Sequence, residues 1–268
     1  MIPYENLCLF DISAKDLDRY AVSFLNLSEK PKLIILENPK EYINYKNNGR
    51  LKNSNIICSA WYSINKLKKI LLKYKIKYLV IDAHRIPDVH IIIAAKQLNI
   101  KVLYIQHGMY IPFMKRTFKL FLQQLIKSVR YLWYAFDSNV YYKGLGLSLF
   151  KIHMLGYKRN SLDKYDIFPD KAGSFSEYWL EWHIKHYRFS KKSLFIMGNY
   201  DFFKFKFSNK YSANYIAYCY QTLLEDGRIS EEIMFNFYDS LSKWANKNNY
   251  KIIVKVHPLA DMKILNIF

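Results

Sequence analysis

Between residues 30 and 110, short aliphatic runs alternate with stretches whose apolar positions recur every three or four residues. The runs "KLIIL" (32–36), "NIICSA" (55–60), "KYLVID" (77–82) and "KVLYI" (101–105) read as strands. "INKLKKILLKYK" (64–75) and "PDVHIIIAAKQLN" (87–99) read as helices, with Pro87 suited to a helix start and Asn99 to its end. The outcome is a βαβαβ rhythm. Unbroken Val/Ile/Leu runs belong to strands covered on both faces, which is the condition of a parallel sheet lying between helices. An α/β, Rossmann-like fold is therefore expected.

Further along, "FKLFLQQLIKSVRYLWYAF" (118–136) carries apolar residues at 118, 121, 122, 125, 126, 129, 132, 133 and 136, the spacing of a long amphipathic helix. "SNVYYKGLGLSLFKIHMLGYKRN" (138–160) predicts one or two short strands with turns at Gly144 and Gly146. Residues 161–192, broken by Pro169 and Gly173, read as a connector. A second α/β block is expected to open with "KSLFIMGNYD" (192–201), a strand ending in Gly198-Asn199, followed by a helical segment around 211–225. "SEEIMFNFYDSLSKWANKNN" (230–249) has Ser230, Glu231 and Glu232 as an N-terminal helix signal, and "YKIIVKVHP" (250–258) reads as a closing strand. The predicted organisation is an N-terminal Rossmann-like domain over 1–160, a connector over 161–191 and a partial second Rossmann-like domain over 192–268.

With 268 residues, 51% hydrophobic, 18% aromatic and a mean hydropathy of -0.16, the chain can bury a core. Forty-one Lys and Arg against 22 Asp and Glu give a net charge of +19, which favours polyanionic partners: nucleic acid, anionic lipid or phosphate-bearing substrates. No helix-turn-helix, zinc-finger or RNA-recognition signature accompanies the charge, so nucleic acid is not the expected partner. Cys8, Cys58 and Cys219 are scattered, with neither a disulfide framework nor zinc-ligand spacing. The N-terminus lacks a basic segment ahead of an apolar one, and no window reaches the length of a spanning helix. A cytoplasmic protein, with peripheral attachment to a membrane surface, is the expectation.

Two histidines stand at strand ends. His107 follows "KVLYI" and Gln106, with Gly108 next, and His257 follows "IIVKV" with Pro258 next. The carboxyl edge of an open α/β sheet is where ligands bind, Gly108 permits close backbone approach, and Pro258 stiffens its turn. Histidine suits proton transfer near neutral pH. Both rings are expected to face one cleft. His84, near Asp82 and Arg85, ends a third strand, as a loop or cleft-lining residue. "KDLDR" (15–19) has the Asp16-x-Asp18 spacing of some metal-dependent enzymes but reads better as a solvated helix start, and "HIKH" (183–186) lacks the carboxylate a metal site would need. No metal is expected, and no Gly-rich phosphate loop is present. Lys115, Arg116, Lys119, Lys127 and Arg130 flank the apolar stripe of 118–136, a profile shared by core helices with a solvated face and by helices on anionic membranes.

"IQHG" (105–108) and "VKVHP" (254–258), with "LGYKRNSLDKY" (155–165) between them, resemble bacterial surface-polysaccharide glycosyltransferases of GT-B architecture: the Kdo-transferase-like, polysialyltransferase-like and CDP-glycerol glycerophosphotransferase-like enzymes. Lys158 replaces the proline usual in the middle motif. The resemblance implies transfer of a sugar or polyol phosphate from a nucleotide-activated donor to a glycan or lipid-linked acceptor at the inner face of the cytoplasmic membrane, with no cofactor. It implies donor contacts from His257, Pro258, Lys255, Gly198 and Asn199, and acceptor-side places for His107 as base and for Gln106, Gly108 and Arg85. It further implies an incomplete donor domain, since ten residues follow Pro258, and weak or absent donor turnover by the chain alone. A non-catalytic relative that binds an acidic glycan or a membrane surface is the alternative; a related epimerase would need paired carboxylates that the sequence does not place.

Overall fold

The structure, a computed structural model, describes residues 6–12, 31–49, 51, 54–107, 118–155, 159–198, 214–220, 223–224 and 229–256, without the side chains of 118–128 and 153–155. The chain divides into two compact units, Met1–Gly108 with Ile126–Phe205, and Met109–Leu125 with Lys206–Phe268.

In the first unit the strands are β1 (Leu7–Phe10), β2 (Leu33–Leu36), β3 (Ile56–Cys58), β4 (Tyr78–Ile81), β5 (Lys101–Ile105), β6 (Lys171–Ser174) and β7 (Leu194–Ile196). Among the described residues they form one parallel sheet in the order β3-β2-β1-β4-β5-β6-β7. The α/β class and the Rossmann-like sheet read from the sequence are therefore present. Strand period two sorts the side chains onto two faces. Cys8, Phe10, Leu33, Ile35, Leu79, Ile81, Val102 and Tyr104 enter one core, while Leu7, Leu9, Ile34, Leu36 and Val80 enter the other. The helices are α1 (Pro39–Asn48), α2 (Ile64–Lys73), α3 (Ile86–Lys96), α4 (Phe118–Tyr141), α5 (Leu145–Leu155) and α6 (Glu177–Trp182); residues of α2 to α5 enter the first core and Tyr45 of α1 the second. Asn38 and Ser63 cap α1 and α2 through their side chains, satisfying amide groups that the first helical turn leaves open. From Ile86 to Ala95 every residue of α3 is buried, so this helix is apolar around nearly its whole circumference, as a fully enclosed helix must be.

Four expectations are corrected. β1 was not predicted, yet it lies between β2 and β4 in the sheet. The 138–160 segment is helical: α4 continues to Tyr141, and α5 follows. Gly146 sits inside α5 because a Cβ there would overlap the Ala135 carbonyl, so this glycine serves helix contact instead of a turn. The supposed connector contributes β6, and the strand at 194–196 hydrogen-bonds to β6 instead of opening a second sheet.

In the second unit, β8 (Tyr215–Cys219) pairs in parallel with β9 (Lys251–Lys255), and α7 (Glu231–Lys247) lies between them in sequence. The helix expected around 211–225 is thus replaced by β8, whose burial alternates as a half-covered strand does. Ser230 caps α7 and β9 forms, both as predicted. Among the described residues no helix is long and apolar enough to cross a membrane.

Candidate functional site

Strand order reverses between β1 and β4, where successive connections leave in opposite directions; this is where open α/β sheets leave a crevice at their carboxyl edge. Polar side chains gather there. Asp11 follows β1, Glu37 follows β2, Asp82 follows β4, and Gln106 and His107 follow β5.

Asp11 organises the centre. One carboxylate oxygen accepts the Glu37 amide at 2.9 Å, and the other accepts Arg85 Nη2 at 2.8 Å. Arg85 also donates to the fully buried Asp88 through Nε at 2.9 Å, and its backbone amide donates to the same carboxylate at 2.7 Å. The guanidinium thus ties the end of β1 to the first turn of α3. Burial pushes the Asp11 carboxyl up to about 7 in spite of Arg85. Burial also raises Glu37, against the pull of Arg130 and the Tyr134 hydroxyl, which donates to it at 3.1 Å. Arg130 Nε lies 2.7 Å from Glu37 Oε1 in charge contact without hydrogen-bond alignment.

At the β5 end, alternation turns two neighbours to opposite uses. Gln106 is 1% exposed; its side-chain oxygen accepts the Phe175 amide at 2.8 Å, and its own amide donates to the Gly173 carbonyl at 3.1 Å. It clamps β5 to β6. The His107 side chain is 43% exposed, with Nδ1 3.9 Å from the Asp82 carboxylate, itself 7% exposed. A carboxylate behind an accessible imidazole can orient the ring and stabilise the imidazolium formed when it takes a proton.

Other histidines are structural. His84 Nε2 donates to the Ile167 carbonyl at 2.9 Å, which leaves Nδ1 to accept Arg159 Nη1 at 2.6 Å and fixes the tautomer. Burial and Arg159 lower it to about 3. His90 donates to Asp137 at 2.7 Å, and burial holds it below its ordinary range in spite of that partner. His183 bonds Ser174 at 2.9 Å and Tyr104 at 3.2 Å, and burial lowers it to about 4. The "HIKH" segment is a π-helical turn in which His186 stacks on Trp182.

His107, Gln106 and Arg85 share the carboxyl edge of one sheet, but Gln106 is a clamp, and Arg85 is bound to Asp11 and Asp88. Gly198, with φ of 72°, follows β7 of that same sheet. Lys255 ends β9 and is exposed. Arg130 is corrected: expected on a solvated or membrane-facing surface, it turns inward to Glu37 because the buried carboxylate needs a counter-charge. Gly108, Lys115, Arg116, Asn199, His257, Pro258 and the Asp16-x-Asp18 pair lie outside the described residues, as do the side chains of Lys119 and Lys127. Asp11 and Glu37 were missed by sequence reasoning; each is the first acid after an apolar strand, a signal that gains meaning once strand order is known.

The chain matches no protein-family profile and none of the curated protein sequences. Among solved structures it is similar to S. aureus MnaA bound to UDP, with 9% identity and a TM-score of 0.42 over 97% of this chain and 64% of that one. It is also similar to a glycosyltransferase from Rickettsia africae ESF-5, with 12% identity and a TM-score of 0.43 over 97% of this chain and 69% of that one. A third is the Methanocaldococcus jannaschii UDP-GlcNAc 2-epimerase in complex with UDP-GlcNAc and UDP, with 13% identity and a TM-score of 0.39 over 98% of this chain and 68% of that one. The chain thus spans 64 to 69% of the length of these proteins.

Proposed function

We propose that this chain takes part in glycosyl or polyol-phosphate transfer from a nucleotide-activated donor to a glycan or lipid-linked acceptor, in bacterial surface-polysaccharide synthesis at the inner face of the cytoplasmic membrane. The observation that carries the reading is the accessible His107 with the enclosed Asp82 carboxylate 3.9 Å behind it, at the carboxyl edge of a parallel sheet. The imidazole takes the proton of an acceptor hydroxyl, and Asp82 stabilises the cation. The freed oxygen bonds to the anomeric carbon or, for a polyol phosphate, to phosphorus. The bond from that atom to the nucleotide's phosphate oxygen breaks, and the nucleotide leaves with the electron pair. His257, Pro258, Lys255, Gly198 and Asn199 are proposed, from the motif resemblance alone, to hold the donor's phosphates.

The test is nucleotide release and glycan transfer from CDP- and UDP-linked donors, comparing the chain with His107→Gln. A base contributes about 10²- to 10⁴-fold to such a step, so H107Q should lower kcat by that factor while leaving donor affinity unchanged. Equal kcat in the two proteins removes His107 from the chemistry. Turnover by the chain alone is expected to be weak, so the rival is separated by binding: a chain that holds an acidic glycan and neither binds nor consumes a CDP- or UDP-linked donor overturns the reading in favour of a non-catalytic binding protein.

A further inference from the structure

From Val129 to Val140, α4 is built inside out. A helix on a soluble domain turns its apolar stripe to the core and its polar side to water. Here Tyr134, Ala135 and Ser138 are buried, while Arg130 and Asp137 point into the first unit and are paired there with Glu37 and His90. Val129, Leu132, Trp133, Phe136 and Val140 face outward, with Phe136 71% and Val140 74% exposed. Their spacing of three and four makes them one continuous strip.

The neighbours extend the strip. The α5 start crosses α4, where Gly146 donates to Asn139 at 3.1 Å, and this sets exposed Leu147 beside it. The loop before α2 is held to α4 through the Trp61 amide, which donates to the Tyr134 hydroxyl at 3.1 Å, and the Trp61 side chain is exposed. Cations stand on the adjoining elements. Lys143 and Lys151 are exposed on and beside α5, Lys66 lies over the Tyr62 ring, and Lys68 lies near the Tyr141 ring. Glu37 and Asp137 are turned inward and paired, and the exposed Asp166 lies 3.5 Å from Lys96.

We infer that this face of α4, with Leu147 and Trp61, docks on an anionic lipid bilayer, its apolar strip entering the headgroup boundary and its lysines meeting lipid phosphates. Charge decides the occupant. An exposed apolar strip alone fits any apolar partner, but exposed lysines on the adjoining elements of a chain of net charge +19 complement an anionic surface, and tryptophan suits the membrane interface. The contact differs from one made by the basic run 115–130, since Arg130 is committed to Glu37. It requires no assumption about the reaction.

The test is co-sedimentation of the full chain with vesicles of phosphatidylcholine alone or mixed with phosphatidylglycerol. Binding to the mixed vesicles is expected to fall about tenfold or more in Phe136→Ser/Val140→Ser. In Lys143→Gln/Lys151→Gln it is expected to fall to the neutral-vesicle level. Ile233→Ser/Phe235→Ser, which removes two exposed apolar side chains from α7, should bind as the parent does. Circular dichroism melts should be unchanged throughout. Parent protein that ignores both vesicle types, or a Phe136→Ser/Val140→Ser protein that binds like the parent, overturns the inference. So does loss of folding in that variant, which would mean the strip packs against the chain itself. Light scattering that shows a dimer dissolved by that variant, without vesicle binding, assigns the face to a second copy.

Discussion

The two parallel sheets are written in nearly the same letters and are covered very differently. "LIIL" in β2 is buried at every position, whereas "KIIVK" in β9 leaves Ile253 and Val254 substantially exposed. Parallel strands are normally enclosed on both faces. β2 meets that condition through two cores and flanking strands β1 and β3; β9 has one paired strand among the described residues and one helix. A run of aliphatic side chains therefore specifies a strand but not its surroundings, and the energetic weight of the same residue differs between the two units.

The largest contrast should come from truncating that residue. Ile35→Ala, at a position wholly out of solvent, is expected to cost about 3–4 kcal/mol, and Ile253→Ala, at 52% exposure, about 1 kcal/mol or less. Hydrogen exchange during denaturant titration reads each unit separately; equal costs would break the comparison.

Acid should also act on the first unit selectively. His84 and His183 titrate at about 3 and about 4 when folded, below the unfolded value of 6.5, so the stability they allow is complete above 6.5 and falls as pH drops toward those values. Each should cost about 2 kcal/mol at pH 5. Asp11 works in the opposite sense: raised to about 7 from 3.8, it contributes fully below the unfolded value and loses that contribution as pH rises through 7. Asp11→Asn should therefore enlarge the stability lost between pH 7 and pH 5, by about 2 kcal/mol. Melting curves at the two pH values check this, and an unchanged difference would mean Asp11 is ionised in the fold.

Local devices should not distinguish the units. Ser63 and Ser230 accept the amide three residues on at the same 3.3 Å, so Ser63→Ala and Ser230→Ala should each cost about 1 kcal/mol. Smallest of all, Asp239→Asn removes an exposed pair with Lys243 and should change the stability of the second unit by about 0.5 kcal/mol or less, a change that salt suppresses.

β2 to β5 and their helices were legible because each strand is an unbroken aliphatic run and each helix keeps its period. β6 was not. "KAGS" holds almost no apolar surface, and the Met197 side chain packs into the space a Cβ at Gly173 would fill. Gly144 makes the expected turn, at φ of 82°, but Gly146 misled for a related reason, since a glycine that admits a neighbouring backbone looks in sequence like one that makes a turn. "YIAYC" alternates with period two, and the helix predicted over it ignored that period. In the site, His107 was visible from its place after β5, while Asp11 and Glu37 needed the strand order, which joins residues 26 apart through one amide. The inverted α4 was hidden because its apolar stripe has the same spacing whichever way the helix is turned.

The Gln106–His107 pair places the site at a point of parity. Side chains along β5 fall alternately on its two sides, so the amide occupies the bonded niche against Phe175 while the imidazole reaches water beside Asp82. Deleting one residue from Lys101–Ile105 would leave the strand's composition and propensity almost unchanged and exchange the two destinations. A length change of one within β5 should thus be far more damaging to the site than any conservative replacement along it, whereas a change of two would restore the assignment and shift only the depth.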